Sequence, residues 1–206
     1  MILTRSDAPA ATEEELDGRR QRSETSRRRI VQAMLALIGA GDVAPNAESI
    51  AARAGLGLRT VFRHFENMES LYREINAAVT AELQPLVKEP FRNADWRAQL
   101  SELLDRRVRI FERIMPFKVA GDIHRHRSPF IARKSVELAR DQRAVLVRIV
   151  PREARADSGF LEALDLLLSL DTWLRLRREQ KLSVARARRT VEIMLAALLN
   201  ARRARS

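Results

Sequence analysis

The sequence predicts an all-α chain of nine helices in two groups, on three observations. Apolar residues recur at three- and four-residue spacings over most of the 206 residues, the interval that lines one face of a helix. Glycine and proline are scarce, seven each. No apolar–polar alternation lasts long enough to describe a strand, and no internal repeat or extended low-complexity segment interrupts the pattern.

Taken in order, residues 1–23 hold few apolar side chains and two charge clusters, Glu13-Glu14-Glu15 and Arg19-Arg20-Gln21-Arg22, and read as a mobile arm. A first helix over 24–38 turns Ile30, Val31, Met34, Leu35, Leu37 and Ile38 inward and stops at Gly39 and Gly41. Asn46 is placed to cap a short second helix carrying Ile50, Ala51 and Ala54. Gly55 supplies a left-handed C′ position, with Leu56 after it for the hydrophobic contact of a Schellman ending. A third helix covers about 58–64. Asn67 caps a fourth over 68–88, with the stripe Met68, Leu71, Tyr72, Ile75, Val79, Leu83 and Leu86, disrupted by Pro85 and Pro90. The remainder reads as a separate bundle over 89–206. Helix five spans 95–115, and Pro116 and Gly121-Asp122 bracket a short sixth. Ser128-Pro129, an N-cap followed by proline at N1, opens a seventh to about residue 150. An eighth runs 158–180 and a ninth 183–201.

Composition bounds the chemistry. There is no cysteine, which excludes a disulfide scaffold, a thiolate metal site and a cysteine nucleophile. The apolar runs fall well short of the roughly 18 residues a membrane helix needs, and the chain turns polar after Met1-Ile2-Leu3. A cytosolic location is therefore expected. Lys+Arg number 38 against Asp+Glu 27, a formal charge of +11, which suits nucleic acid or anionic ligands as partners. The excess lies beyond residue 80. Between residues 24 and 80 the basic and acidic counts are 7 and 6.

Two short helices joined by a glycine-containing turn form the arrangement whose second helix can enter a DNA major groove, about 12 Å wide. Here Ile50, Ala51, Ala54, Leu56, Val61 and Phe65 would fix the crossing of the helices. Leu58, Arg59, Thr60, Arg63 and His64 are left to face DNA. The stretch IAARAGLGLRTVFRHFENMESLY resembles the DNA-binding signature of the TetR family of bacterial transcriptional regulators. Through helix count and order the resemblance extends to the whole chain. It implies a homodimer of nine-helix protomers. The helix-turn-helix domain of 24–67 would bind DNA, the fourth helix would link the domains, and residues 89–206 would bind an effector and dimerise through the last two helices.

Carried over by position, the resemblance makes Arg59 and Thr60 base- and phosphate-contacting residues, Asn46 a cap that also meets phosphate, and His64 a backbone contact. Arg27 and Arg28 could also grip phosphate. Three departures stand out. Gly57 occupies the place of a Ser or Thr cap. Phe62 replaces the usual tyrosine, losing a hydroxyl but keeping a packing ring. Met68 replaces a lysine, leaving backbone N–H groups near Asn67 to meet phosphate. Each lost cationic contact lowers the salt slope by roughly 0.9, so a salt dependence shallower than that of a lysine-bearing relative is expected. The arm with Arg19, Arg20 and Arg22 reads first as a solvated tail, the alternative being an arm that reaches into the minor groove, as basic arms can.

In the bundle, Arg107 falls on the inward stripe of helix five with Trp96, Leu103, Phe111 and Met115. A buried arginine needs a partner. It is either paired with Asp165 or Asp171 of helix eight or anchors an anionic ligand in a pocket that Phe117 helps to line. Helix eight is apolar around much of its circumference, so Leu166, Leu170 and Trp173 are expected in a two-fold interface with Val191, Leu195 and Leu198 of helix nine. Trp173 is also a candidate for the cavity or the core. His124 and His126 lie two apart and do not share a helix face, so no metal site is expected. No nucleophile–base pair, phosphate loop or cofactor motif is found, and no enzymatic activity is expected. The function these features predict is a ligand-responsive repressor on a palindromic operator. The alternative is a dimeric DNA-binding or scaffold protein with no small effector.

Overall fold

In the computed structural model, which describes residues 13–65 and 68–203, the first helix, α1, runs Glu13–Gly39. Its buried side chains, Ile30, Val31, Ala33, Met34 and Ile38, all lie in the part predicted to be helical. The helix nevertheless begins far upstream of residue 24. Residues 13–23 are therefore helical rather than an irregular arm, and residues 1–12 lie outside the described residues. Arg, Glu and Gln dominate this extension, and these are good helix formers even without an apolar face.

Two further helices follow, α2 (Ala47–Ala54) and α3 (Leu58–His64). Asn46 caps α2 as predicted, its side chain accepting from the Ser49 N–H at 2.8 Å. Gly55 ends the helix at φ +63°, a left-handed conformation that costs a Cβ-bearing residue energy. The Leu56 N–H closes onto the Ala51 carbonyl at 3.0 Å. A Cβ at Gly55 would also stand 2.8 Å from Nη2 of Arg29. Gly55→Ala is therefore expected to cost about 1 kcal/mol or more, read as a lower denaturation midpoint.

Helix α4 runs Met68–Lys88, continuing through Pro85. The chain divides into two units, one ending at Ile75 and the other beginning at Asn76. In the first, Ile30, Met34, Ile50, Leu71 and Ile75 are among the buried side chains of its small core.

The second unit contains α5 (Trp96–His124), α6 (Pro129–Ile149), α7 (Arg152–Arg155), α8 (Ser158–Leu167), α9 (Leu170–Leu174), a π-helical turn (Arg175–Glu179) and α10 (Val184–Arg203). No strand occurs among the described residues. The separate sixth helix expected after Pro116 does not exist, because α5 passes straight through the proline. The missing N–H costs one backbone bond, yet Phe111 and Ala120 on either side are buried, and Lys118 reaches Asp122 one turn on at 2.6 Å.

The expected helix over 158–180 is broken in three. Ser169 is the cause of the first break. Its Oγ accepts from the Thr172 N–H at 3.1 Å and donates to the Leu166 carbonyl at 2.7 Å, replacing helix bonds with local side-chain ones. The final turn widens to a π pattern, with the Gln180 N–H on the Arg175 carbonyl at 3.0 Å. Lys181 at φ +54° then ends it, and the Leu182 N–H returns to the Leu176 carbonyl at 3.0 Å. A left-handed residue normally marked by glycine is here a lysine, so the ending carried no compositional signal.

Candidate nucleic-acid interface

The first unit sorts α2 and α3 into two faces. Ile50, Ala51, Ala54, Val61 and Phe65 are buried, while Leu58, Arg59, Phe62 and Arg63 are exposed and Thr60 is half-buried. Arg59 and Arg63 form no hydrogen bond or ion pair with the described residues, which leaves their guanidinium groups open to an outside anion. Arg28 on α1 and Arg53 on the last turn of α2 are exposed as well. Asn46 is exposed too, with its side-chain oxygen committed to the cap.

Four expectations need correction. The Phe62 ring is 57% exposed and lies outside the core rather than packing into it. Position 62 falls one residue beyond Val61, whose side chain takes the inward direction of α3. His64 is three residues from Val61 on that same inward side. Its Nε2 is buried without a hydrogen-bond partner and does not stand in the outward row. Arg27 does not stretch outward. It donates through Nε to Oε1 of Glu74 at 2.6 Å, forms an ion pair with the same carboxylate, and lies 4.8 Å over the Phe65 ring. It ties α1 to the end of α3 and to α4, and its bond to Glu74 raises its pKa. Finally, the segment with Arg19, Arg20 and Arg22 is helical. A helix is about 10–12 Å across, too wide for a minor groove of about 6 Å, so this segment does not lie in a minor groove as an extended arm would. The role expected of Asn67 lies outside the described residues.

Sequence reasoning missed Arg29. Its Nη2 donates to the Gly55 carbonyl at 3.2 Å, meeting a carbonyl at the end of α2 that the helix leaves unpaired. The signal was a basic residue free to serve a helix C-terminus, which periodicity does not single out.

His64 has a measurable consequence. Burial, then the charges of Arg63 and Arg27, hold its pKa below the usual histidine value. The unfolded chain therefore binds the proton more readily than the folded one. Stability of this unit is expected to fall as pH drops through about 6.5 and to recover above it. Thermal unfolding at about pH 7.5 and about pH 5.5 measures the loss. His64→Gln is expected to lessen it, and an unchanged pH difference would contradict the assignment.

In the second unit Arg107 is buried, 4% exposed, and neither expected aspartate holds it. Nη1 donates to the Leu168 carbonyl at 2.7 Å and Nη2 to the Gln142 carbonyl at 2.6 Å. Asp165 instead receives Arg143 at 3.1 Å, and Asp171 is exposed in the first turn of α9, where a negative charge suits the helix dipole. The break at Ser169 resets the helical register, which is why Asp171 does not point inward. Arg107 lines a crevice with Leu104, Val108, Phe111, Leu167 and Trp173, whose central void of about 10 Å³ admits one water at most. Of the other expected pocket residues, Leu103 belongs to the core, Met115 and Phe117 are half-buried, and Trp96 packs edge-on against Phe160 at 6.3 Å. None of these four lines the crevice.

The expected subunit contacts also divide. Leu170, Trp173, Val191 and Leu195 are buried in the unit's own core, and Leu198 packs against it. Leu166 is 69% exposed. The exposed apolar face of α10 is instead Ile193 and Met194, with Ala197 four and three residues on. His124 ends α5, and His126 is exposed in the turn after it. No helix is long and apolar enough to cross a membrane among the described residues.

No protein-family model matches the chain, and no curated protein sequence matches it.

Proposed function

We propose that the chain is a sequence-specific DNA-binding protein of the helix-turn-helix class. The observation that carries this is the division of α3. Val61 is buried beneath it, while Leu58, Arg59, Phe62 and Arg63 stand free on its outer side. Arginine reads guanine edges bidentately, and an exposed phenylalanine suits the thymine methyl group. Asn46 and Arg28, both exposed, would serve as phosphate contacts.

More particularly, we read it as a TetR-like, homodimeric, ligand-responsive repressor acting in the bacterial cytoplasm. The motif's residues and their order support the family. The exposed Leu166 of α8 and the Ile193–Met194–Ala197 face of α10 support a self-complementary contact. Two recognition helices about 34 Å apart, or a multiple, would enter successive major grooves of a palindrome. An effector in the second unit would favour a dimer whose spacing no longer fits, a coupling of typically about 1–3 kcal/mol.

Selection from a randomised duplex pool, followed by sequencing of what the full chain retains, tests the reading. A recovered palindrome is expected. A folded dimer that shows no sequence preference at low and moderate salt would replace this reading with that of a scaffold protein.

A further inference from the structure

Phe62 is a large ring that the first unit leaves in water. At 57% exposure it is surpassed, among the large apolar side chains of the described residues, by Leu166 alone. One surface ring by itself carries little meaning, but the surroundings of this one are particular. Leu58 stands four residues before it on α3 and is exposed as well. Residues at that spacing are neighbours on a helix surface, with Cβ atoms about 5–6 Å apart, so Leu58 and Phe62 form one apolar spot. Arg59, three residues before the ring, and Arg63, directly after it, are exposed. Neither is bonded to any described residue.

A partner for this face must offer negative charge and an apolar group within a few ångströms of each other. An apolar protein patch would strip water from two guanidinium groups without pairing them. A phosphate backbone alone offers the ring nothing. The major-groove edge of DNA supplies both, with guanine O6 and N7 for arginine and one kind of apolar group, the C5-methyl of thymine. The spacing agrees. Arg59 and Phe62 are separated by a rise of about 4.5 Å along the helix, of the order of one base step of about 3.4 Å.

We infer that Phe62, backed by Leu58, is a specificity-determining residue that packs on a thymine methyl beside a guanine read by Arg59. The inference rests on the DNA-binding reading above and adds the base that the exposed ring selects. The hydroxyl absent from position 62 thus leaves a wholly apolar ring edge, suited to a methyl group rather than to phosphate.

Deoxyuridine keeps every hydrogen-bonding atom of thymidine and lacks only the methyl, which makes it the probe. The duplex recovered from the randomised pool is resynthesised with deoxyuridine at one symmetry-related pair of thymidines at a time and titrated with the full chain by fluorescence anisotropy. One such pair is expected to weaken binding about fourfold per half-site, or about fifteenfold for the symmetric site, the worth of one buried methyl in each half. Phe62→Ala is expected to abolish that thymidine preference with circular dichroism unchanged, because the ring supports no core, and Phe62→Leu to retain part of it. The leucine variant and the wild-type comparison keep the test decisive if the alanine variant does not fold. Three outcomes overturn the inference while leaving the DNA-binding reading in place: equal binding with deoxyuridine at every position, an undiminished thymidine preference in folded Phe62→Ala, or an equal loss by that variant on both duplexes. A Phe62→Ala protein that binds the site normally but no longer self-associates also overturns it, assigning the ring to a protein contact. A pool that yields no preferred sequence overturns both readings together.

Discussion

Replacing Arg59 and Thr60 together with alanine is expected to abolish recovery of a palindrome while leaving the fold intact. Arg59 is exposed and Thr60 half-buried on a seven-residue helix whose buried anchor is Val61. Alanine is the strongest helix former, so α3 should persist, and circular dichroism should be unchanged. A good bidentate base contact is worth about 1–3 kcal/mol of discrimination, so losing Arg59 alone removes roughly five- to 150-fold in specific affinity. Binding to random duplex should fall far less, because one cation changes the salt slope by only about 0.9. Retention of the same palindrome by the double variant would place recognition elsewhere than on α3. Arg27→Ala is the informative contrast. Because that side chain is bonded to Glu74, its loss should appear as reduced stability of the first unit rather than as a change in the salt slope.

The second large effect separates the two apolar sides of the α8–α9 segment. Trp173 is 2% exposed and donates its indole N–H to Glu112 at 2.8 Å, a carboxylate that Arg177 also holds at 2.7 Å. Trp173→Ala removes a large core side chain, a class of change costing about 3–5 kcal/mol. Glu112 keeps Arg177 as a partner, so no buried charge is stranded in addition. Chemical denaturation should show the full loss. Leu166→Glu should leave denaturation of the protomer nearly unchanged, within about 0.5 kcal/mol, as at an exposed position. It should nevertheless shift the protein from dimer to monomer in sedimentation, because it sets a charge in the proposed contact. A Leu166→Glu chain that remains dimeric would remove α8 from the interface, and a stable Trp173→Ala protein would remove Trp173 from the core.

Where the chain's structure depends on neighbours a few residues away, the sequence was sufficient at four devices, though not at the Ser169 break or the Lys181 ending. The three- and four-residue spacing of Ile30, Val31, Met34 and Ile38, the Asn46 cap, the Gly55 left-handed ending and the Ser128-Pro129 start of α6 are all local devices. Each works through bonds or sterics within one or two turns, and each appears in the fold where it was placed. The outward row of α3 was legible in the same way, apart from His64 and Phe62.

Tertiary structure decided what local pattern leaves open. Helix eight is apolar on more than one side, and periodicity marks apolar sides without saying which meets the chain's own core. Packing buried Leu170 and Trp173 and left Leu166 outside. Arginine poses the same difficulty in another form. Its long side chain can serve a phosphate, a carboxylate or a carbonyl, and the partners of Arg27 and Arg107 lie far off in sequence, at Glu74, Gln142 and Leu168. The helix character of most segments and the caps at Asn46, Gly55 and Ser128 were thus set by the sequence itself, because they are short-range. The commitment of Arg27 and Arg107 and the choice of core face were settled only by folding, because packing brings acceptors distant in sequence within reach of a side chain that the bare chain does not assign.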